Sequence, residues 1–219
     1  MGVCQNTVSR VMGDGGAMNE KFFDLKKEKQ DRMINAALKI FALKGYEHAS
    51  TDDIVREAGI SKGLLFHYFI SKIGLYAFVY DYSVKYMMLE YSTGISGNET
   101  DFFELLIQMK SCELQVMRNY PFMLQFLNES KKEDVSEALI ATEEKRGVLP
   151  QHFDQIMQRA DLDKFRTEVD IEKLKKVIEL TVSGLMTEQF LSEAFQPELF
   201  AEEVKSYLSM LRKMSYREG

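Results

Sequence analysis

Hydrophobic residues recur along this chain at steps of three and four, with no stretch of alternating apolar and polar positions, so the elements they predict are helices. From Gln30 to Lys44, Met33, Ile34, Ala37, Leu38 and Phe41 mark one apolar face, and Lys39 and Lys44 turn away from it. Gly45 is placed to close this helix, and Tyr46 to pack back on its last turn. Ser50 with Asp53 three residues on has capping-box spacing for a second, two-turn helix, Thr51 to Ala58. Gly59 then supplies a tight turn and Ser61 a cap for a third helix, Lys62 to Phe69, whose apolar side is Leu64, Leu65, Tyr68 and Phe69. Two short helices joined by a glycine-bearing turn have the helix-turn-helix form, in which the second helix enters a major groove by its N-terminal end.

Beyond Lys72 the apolar spacing continues through Leu75, Phe78, Val79, Tyr82 and Tyr86 to Tyr91, which predicts a long connecting helix. A glycine-bearing loop, Ser92 to Thr100, precedes helices expected at Asp101 to Asn119, Pro121 to Ser130, Val135 to Lys145, Gln151 to Ala160, Ile171 to Ala194 and Pro197 to Tyr216. Thr100 is expected as a cap, Pro121 and Pro197 as first-turn prolines, and Gly147 with Pro150 as a break. Residues 1–25 contain Gly13-Asp14-Gly15-Gly16 and carry no period, which predicts a disordered extension. The fold class expected is all-α: a three-helix domain over 26–72, its helix-turn-helix at about 50–69, followed by a larger helical domain over 73–219.

Composition removes several classes. The chain has 219 residues, 45% of them hydrophobic, but no apolar run near the ~18 residues of a membrane helix. Cys4 and Cys112 make no disulfide framework, and with no secretory segment the cytoplasm is the expected compartment. The net charge of −6 argues against a polyanion partner until it is divided at Phe78: the first 78 residues carry +2 and the remainder −8. A basic end on an acidic body suits a protein that offers one end to nucleic acid. His48, His67 and His152 have no metal-ligand spacing, Asp161 and Asp163 read as loop caps, and no nucleophile elbow or phosphate loop is present, so no enzyme activity, metal or cofactor is expected. Cys112, within an apolar helix, reads as a buried small residue.

Between Asp31 and Tyr76 the chain resembles the DNA-binding domain of TetR-family transcriptional regulators. The resemblance rests on Ala36-Ala37 and Phe41, Gly45-Tyr46, Ile54, Ala58-Gly59-Ile60-Ser61, Gly63, Tyr68-Phe69 and Ser71-Lys72 in register. It implies a homodimer on a near-palindromic double-stranded operator, with a small-molecule effector sensed by the helical body, the usual action being repression. Its DNA contacts, carried onto this chain, are Thr51, Ser61, Lys62, Gly63, Phe66, His67, Tyr68 and Lys72. Lys72, Thr51, Ser61 and the Gly63 backbone suit phosphates, while Lys62 and His67 suit base edges. Three features depart from the family's pattern. Phe66 stands where a tyrosine is frequent and can only pack; Ala49 replaces a common threonine; Ile73-Gly74 follows Lys72 in place of an acidic residue, which predicts a looser start to the fourth helix.

The body is rich in Met and aromatic residues, and the resemblance places a pocket there. Phe103, Met109, Met117, Tyr120, Met123, Phe126, Phe153 and Met157 are the candidates for a largely hydrophobic effector. The last two helices carry Leu174, Val177, Ile178, Thr181 and Leu185, then Val204, Leu208 and Leu211, with small Ser183 and Gly184 permitting close approach. By resemblance they pair with their mates across a dimer. The alternative function is a helical small-molecule carrier whose helix-turn-helix is idle.

Overall fold

The computed structural model describes residues 21–191 and 196–217, and among these every regular element is helical. After a helical turn at 21–23 come α1 (Lys27–His48), α2 (Thr51–Ala58), α3 (Lys62–Phe69), α4 (Lys72–Gly94), α5 (Phe102–Asn119), α6 (Met123–Ser130), α7 (Ser136–Arg146), α8 (Val148–Met157), α9 (Ile171–Leu191) and α10 (Pro197–Ser215). The all-α expectation thus holds for the described residues. The expected helix end at Ala194 and the readings made for residues 1–20 lie outside them.

The axis of the molecule is α4. Tyr76, Val79 and Tyr86 are buried on it, and so are Tyr80, Val84 and Tyr91, so it is apolar around most of its circumference. A helix of that kind belongs inside a bundle, and α1, α5, α7 and α8 pack around it while α10 covers α5 and α9 leans on α10. α1 also lies along α6, which locks the small N-terminal domain onto the body. Two polar seams reinforce that contact. Tyr120 donates to Asp31 at 2.8 Å and shares a 2.6 Å hydrogen bond with Tyr82, while Tyr46 meets Glu133 through its amide (3.1 Å) and Glu137 through its hydroxyl (2.8 Å). Burial first, and then the Glu137 carboxylate, push the Tyr46 phenol well above its ordinary range, so this hydroxyl stays a donor.

Several boundaries differ from the sequence expectation for local reasons. α1 begins at Lys27, three residues early, because buried Gln30 donates its amide to Phe23 O (3.0 Å) and Leu25 O (2.7 Å). Residues 21–25, expected in a disordered extension, are fixed by this and by Phe22, fully buried against Tyr68, Phe69 and Phe78. Asp101 rather than Thr100 caps α5, its carboxylate accepting from the amides of Phe103 and Glu104 at 3.1 Å. Gly147 does mark a break, but Pro150 lies in the first turn of α8, where a missing N–H leaves nothing unpaired. Pro121 precedes α6 instead of opening it. Cys112 is buried as expected, its thiol pushed up to about 11 by burial and then by Glu90 and Glu113.

The junction between α3 and α4, which meet at 65°, explains the Ile73-Gly74 departure. Ile70 has φ 62° and ψ −46°, and the Ser71 amide bonds to Phe69 O at 2.6 Å. This is a γ-turn of the rare positive-φ kind, strained for any L-residue and more so for a β-branched one. The turn brings the Phe69 carbonyl onto the place a Cβ of residue 74 would fill, so only glycine fits there. The start of α4 is therefore not loose: Ser71 caps it by accepting from the Gly74 amide at 3.1 Å. Ile70 is 63% exposed, so replacing it loses little burial. Ile70→Gly is expected to raise the free energy of unfolding by about 1 kcal/mol, and Gly74→Ala to lower it by about 2 kcal/mol or more, both measured by urea titration.

Candidate nucleic-acid interface

The helix-turn-helix is held by short-range chemistry. Ser50 Oγ accepts from the Asp52 amide at 3.1 Å, so α2 is capped as expected. The other half of the capping box does not form: Asp53 turns to Lys44 (2.6 Å) and to Arg56, and Lys44 first among them holds its carboxyl below the usual range. Gly59, at φ 63°, ends α2 in the left-handed conformation and turns the chain toward α3. Ser61 Oγ accepts from the Leu64 amide at 3.2 Å, which fixes the first turn of α3.

This arrangement leaves the N-terminal end of α3 in the open. Ser61, Lys62, Gly63 and His67 are exposed, and Thr51 and Phe66 are half-buried beside them. Positions 62, 63, 66 and 67 share one face of α3, so four of the eight candidates lie on one exposed helix face with Ser61 at its start. Phe66, without a hydroxyl, contributes its ring only.

Tyr68 and Lys72 are placed otherwise. Tyr68 is only 9% exposed, its ring against Phe22 at 5.8 Å, and it belongs to the core beneath the reading face. Lys72, expected on a phosphate, directs its ammonium inward to the carbonyls of Tyr46 (2.8 Å), Glu47 (3.2 Å) and Ala49 (3.3 Å), 4.4 Å from the centre of the Tyr46 ring. An ammonium has three N–H donors, and all three are engaged. Sequence reasoning missed this role because the acceptors are main-chain atoms, which leave no mark in a sequence.

The eight pocket candidates are brought together only in part, and as packing. Phe103, Met109, Met117, Tyr120, Met123 and Phe126 are all but fully buried in the core and Met157 nearly so, while Phe153 lies at the surface. None of them lines the clefts found between α4 and α7, of about 460 Å³, or between α5 and α10, of about 260 Å³. These side chains fill space instead of enclosing it.

Lys62 carries a further constraint, because its ammonium is paired with Asp52 at 2.8 Å across the entrance of the reading face. Both partners are well exposed, so the pair contributes under about 1 kcal/mol and yields readily to a phosphate or a base edge. Asp52→Asn, which keeps the Ser50 cap on the residue 52 amide, is expected to tighten binding to any duplex by several-fold. A fluorescence-anisotropy titration reads this, and unchanged affinity would show that Lys62 does not face the duplex.

Comparisons with known proteins agree with this geometry. Residues 33–78 match the family model described as "Bacterial regulatory proteins, tetR family". The HTH-type transcriptional regulator AcrR of Shigella flexneri is 24% identical over 198 residues, 86% of this chain and 89% of that one. The uncharacterized HTH-type regulator YuxN of Bacillus subtilis is 49% identical over 49 residues, which are 22% of this chain and only 17% of that protein. A TetR family transcriptional regulator from Chloroflexus aurantiacus has the same fold over 91% of this chain and 98% of its own, with a TM-score of 0.60 at 18% identity. With the family's motif residues folded into an exposed helix on a helical body, the chain carries a tetR-family DNA-binding domain over residues 33–78 and shares the fold of a solved TetR-family regulator.

Proposed function

We propose that this protein is a homodimeric repressor that binds a near-palindromic operator and is released from it by a small, largely hydrophobic effector. The observation that carries the DNA-binding half is the exposed α3 face; in this reading the Gly63 amide, the Ser61 hydroxyl and the Thr51 hydroxyl at the start of α2 take phosphates, and Lys62 and His67 take base edges. The dimer rests on the last two helices. α10 buries Phe200, Val204 and Leu208 inward and leaves Tyr207, Met210 and Met214 exposed at i, i+3, i+7, while α9 exposes Val177 and Leu180. Such an exposed apolar stripe suits a partner surface, and a two-fold axis through it would set two reading helices on half-sites one helical turn apart.

The effector, in this reading, enters by displacing side chains from a filled core. Met109, Met117, Met123 and Met157 are unbranched and repack with little cost, so an apolar ligand makes room among them and the neighbouring rings. Release requires that the ligand prefer the repacked state over the DNA-bound one. α1 and α4 touch both the reading domain and the body, which gives that preference a short path to the operator.

The test is binding to DNA from upstream of the protein's own gene, against scrambled DNA at ~150 mM salt. The wild type is expected to bind the operator ~1,000-fold tighter than the control and to sediment as a dimer. Leu180→Glu with Met210→Glu is expected to sediment as a monomer and lose that preference. A monomeric wild type, or equal binding to both DNAs, would overturn the proposal.

A further inference from the structure

A duplex is gripped by cations, and the helix-turn-helix of this chain carries no net positive charge. Over residues 49–72 three bases, Arg56, Lys62 and Lys72, meet three acids, Asp52, Asp53 and Glu57. Arg56 pairs with Asp53, Lys62 with Asp52 and Lys39 of α1 with Glu57 (2.6 Å), while Lys72 is spent on carbonyls. Lys44 and Lys27 are likewise paired, with Asp53 and Asp31. Sequence-independent affinity for DNA comes from phosphates neutralised by basic side chains and the counterions they release, so a neutral reading head needs its charge from elsewhere.

Among the described residues of the N-terminal domain, Lys21, Lys26, Lys29 and Arg32 make no ion pair and no hydrogen bond through their side chains, and Lys21, Lys26 and Arg32 are exposed. Lys26, Lys29 and Arg32 follow one another at i, i+3 and i+6 along one side of the start of α1. Two observations set this strip beside the reading head. The Arg32 guanidinium lies against Gly59, the turn residue that delivers the chain to α3, 3.7 Å from where a Cβ there would stand. At the other end Phe22 is packed against Tyr68 and Phe69 of α3, and Gln30 holds the same segment to α1, so Lys21 and Lys26 are fixed to the reading domain. Asp24 and Glu28 are the unpaired acids of this segment, and four cations against two leave it net positive.

We infer that the basic strip Lys21, Lys26, Lys29 and Arg32 is a second DNA-contact surface, which grips the phosphate backbone flanking each half-site while the neutral α3 face reads the bases. The inference rests on the operator-binding reading above and deepens it by dividing the labour: α1 supplies affinity, α3 supplies sequence. Lys21 approaches the same phosphates as the chain entering α1, and Arg32 those nearest the turn.

The experiment compares the full-length wild type with Lys26→Gln/Lys29→Gln/Arg32→Gln and with His67→Ala, on operator and scrambled duplexes at a series of salt concentrations. The triple variant is expected to weaken binding to both duplexes equally and to make the slope of log affinity against log salt shallower by about three. Its affinity would then fall about 60-fold less than that of the wild type between 50 and 200 mM salt. The charge-preserving variant Lys26→Arg/Lys29→Arg/Arg32→Lys is expected to restore the slope, which separates loss of charge from loss of fold. His67→Ala is expected to reduce the preference for operator with the slope intact. A triple variant with the wild-type slope overturns the strip alone, whereas a wild type that prefers no duplex overturns the regulator reading first.

Discussion

The helix-turn-helix of this molecule hangs from the Lys72 ammonium. It gathers the carbonyls of Tyr46, Glu47 and Ala49 at the frayed end of α1, beside the Tyr46 ring, and it does so from the first residue of α4. The last carbonyls of a helix have no intrahelical partner and carry the negative end of its dipole, so a cation placed there binds several orphans at once. Because Ala49 is followed directly by the Ser50 cap of α2, the same clamp also sets where the helix-turn-helix begins. The strained turn at Ile70 and the closely packed Gly74 then follow as geometric needs, since α4 must start beneath α1 while α3 leaves at 65°.

With the end of α1 clamped to α4, and its flank tied to the body at Tyr120 and Glu137, the reading domain is not a loose head on a tether. Tyr82, Tyr120 and Asp31 form one hydrogen-bonded line from the centre of the body to the start of α1, joined by Lys27. A rearrangement of the body core that moved Tyr120 would reach α1 directly. Buried networks of this kind are costly when half-satisfied, so they favour discrete arrangements over gradual drift. That is the property a ligand-operated switch needs.

The helices of the N-terminal domain were legible in the sequence because their signals are local. Gly45, Ser50, Gly59 and Ser61 each act within three residues, and the structure uses each near where the spacing placed it. The motif residues on the exposed α3 face were legible for the same reason. What the sequence hid was long-range: Tyr120 meets Asp31 across 89 positions and Tyr46 meets Glu137 across 91. Phe22 looked like the tail of a featureless segment until Gln30 and the α3 rings gave it a socket. Met and aromatic richness did not distinguish a filled core from a lined cavity, because both need the same side chains at the same helical spacing. The departure at Ile73-Gly74 was visible as such, but its reason lay in the dihedrals of Ile70, and no composition reveals those.

The measurement that bears most directly on this account is a paired determination on Lys72→Met: the free energy of unfolding, and the salt dependence of operator binding. If the ammonium serves the carbonyls of α1, stability falls by about 2 kcal/mol as three acceptors lose a charged donor, affinity falls with it, and the slope of log affinity against log salt stays that of the wild type. Unchanged stability, with a slope shallower by about one, would place Lys72 on a phosphate and contradict the clamp on which the rest of the structure has been built.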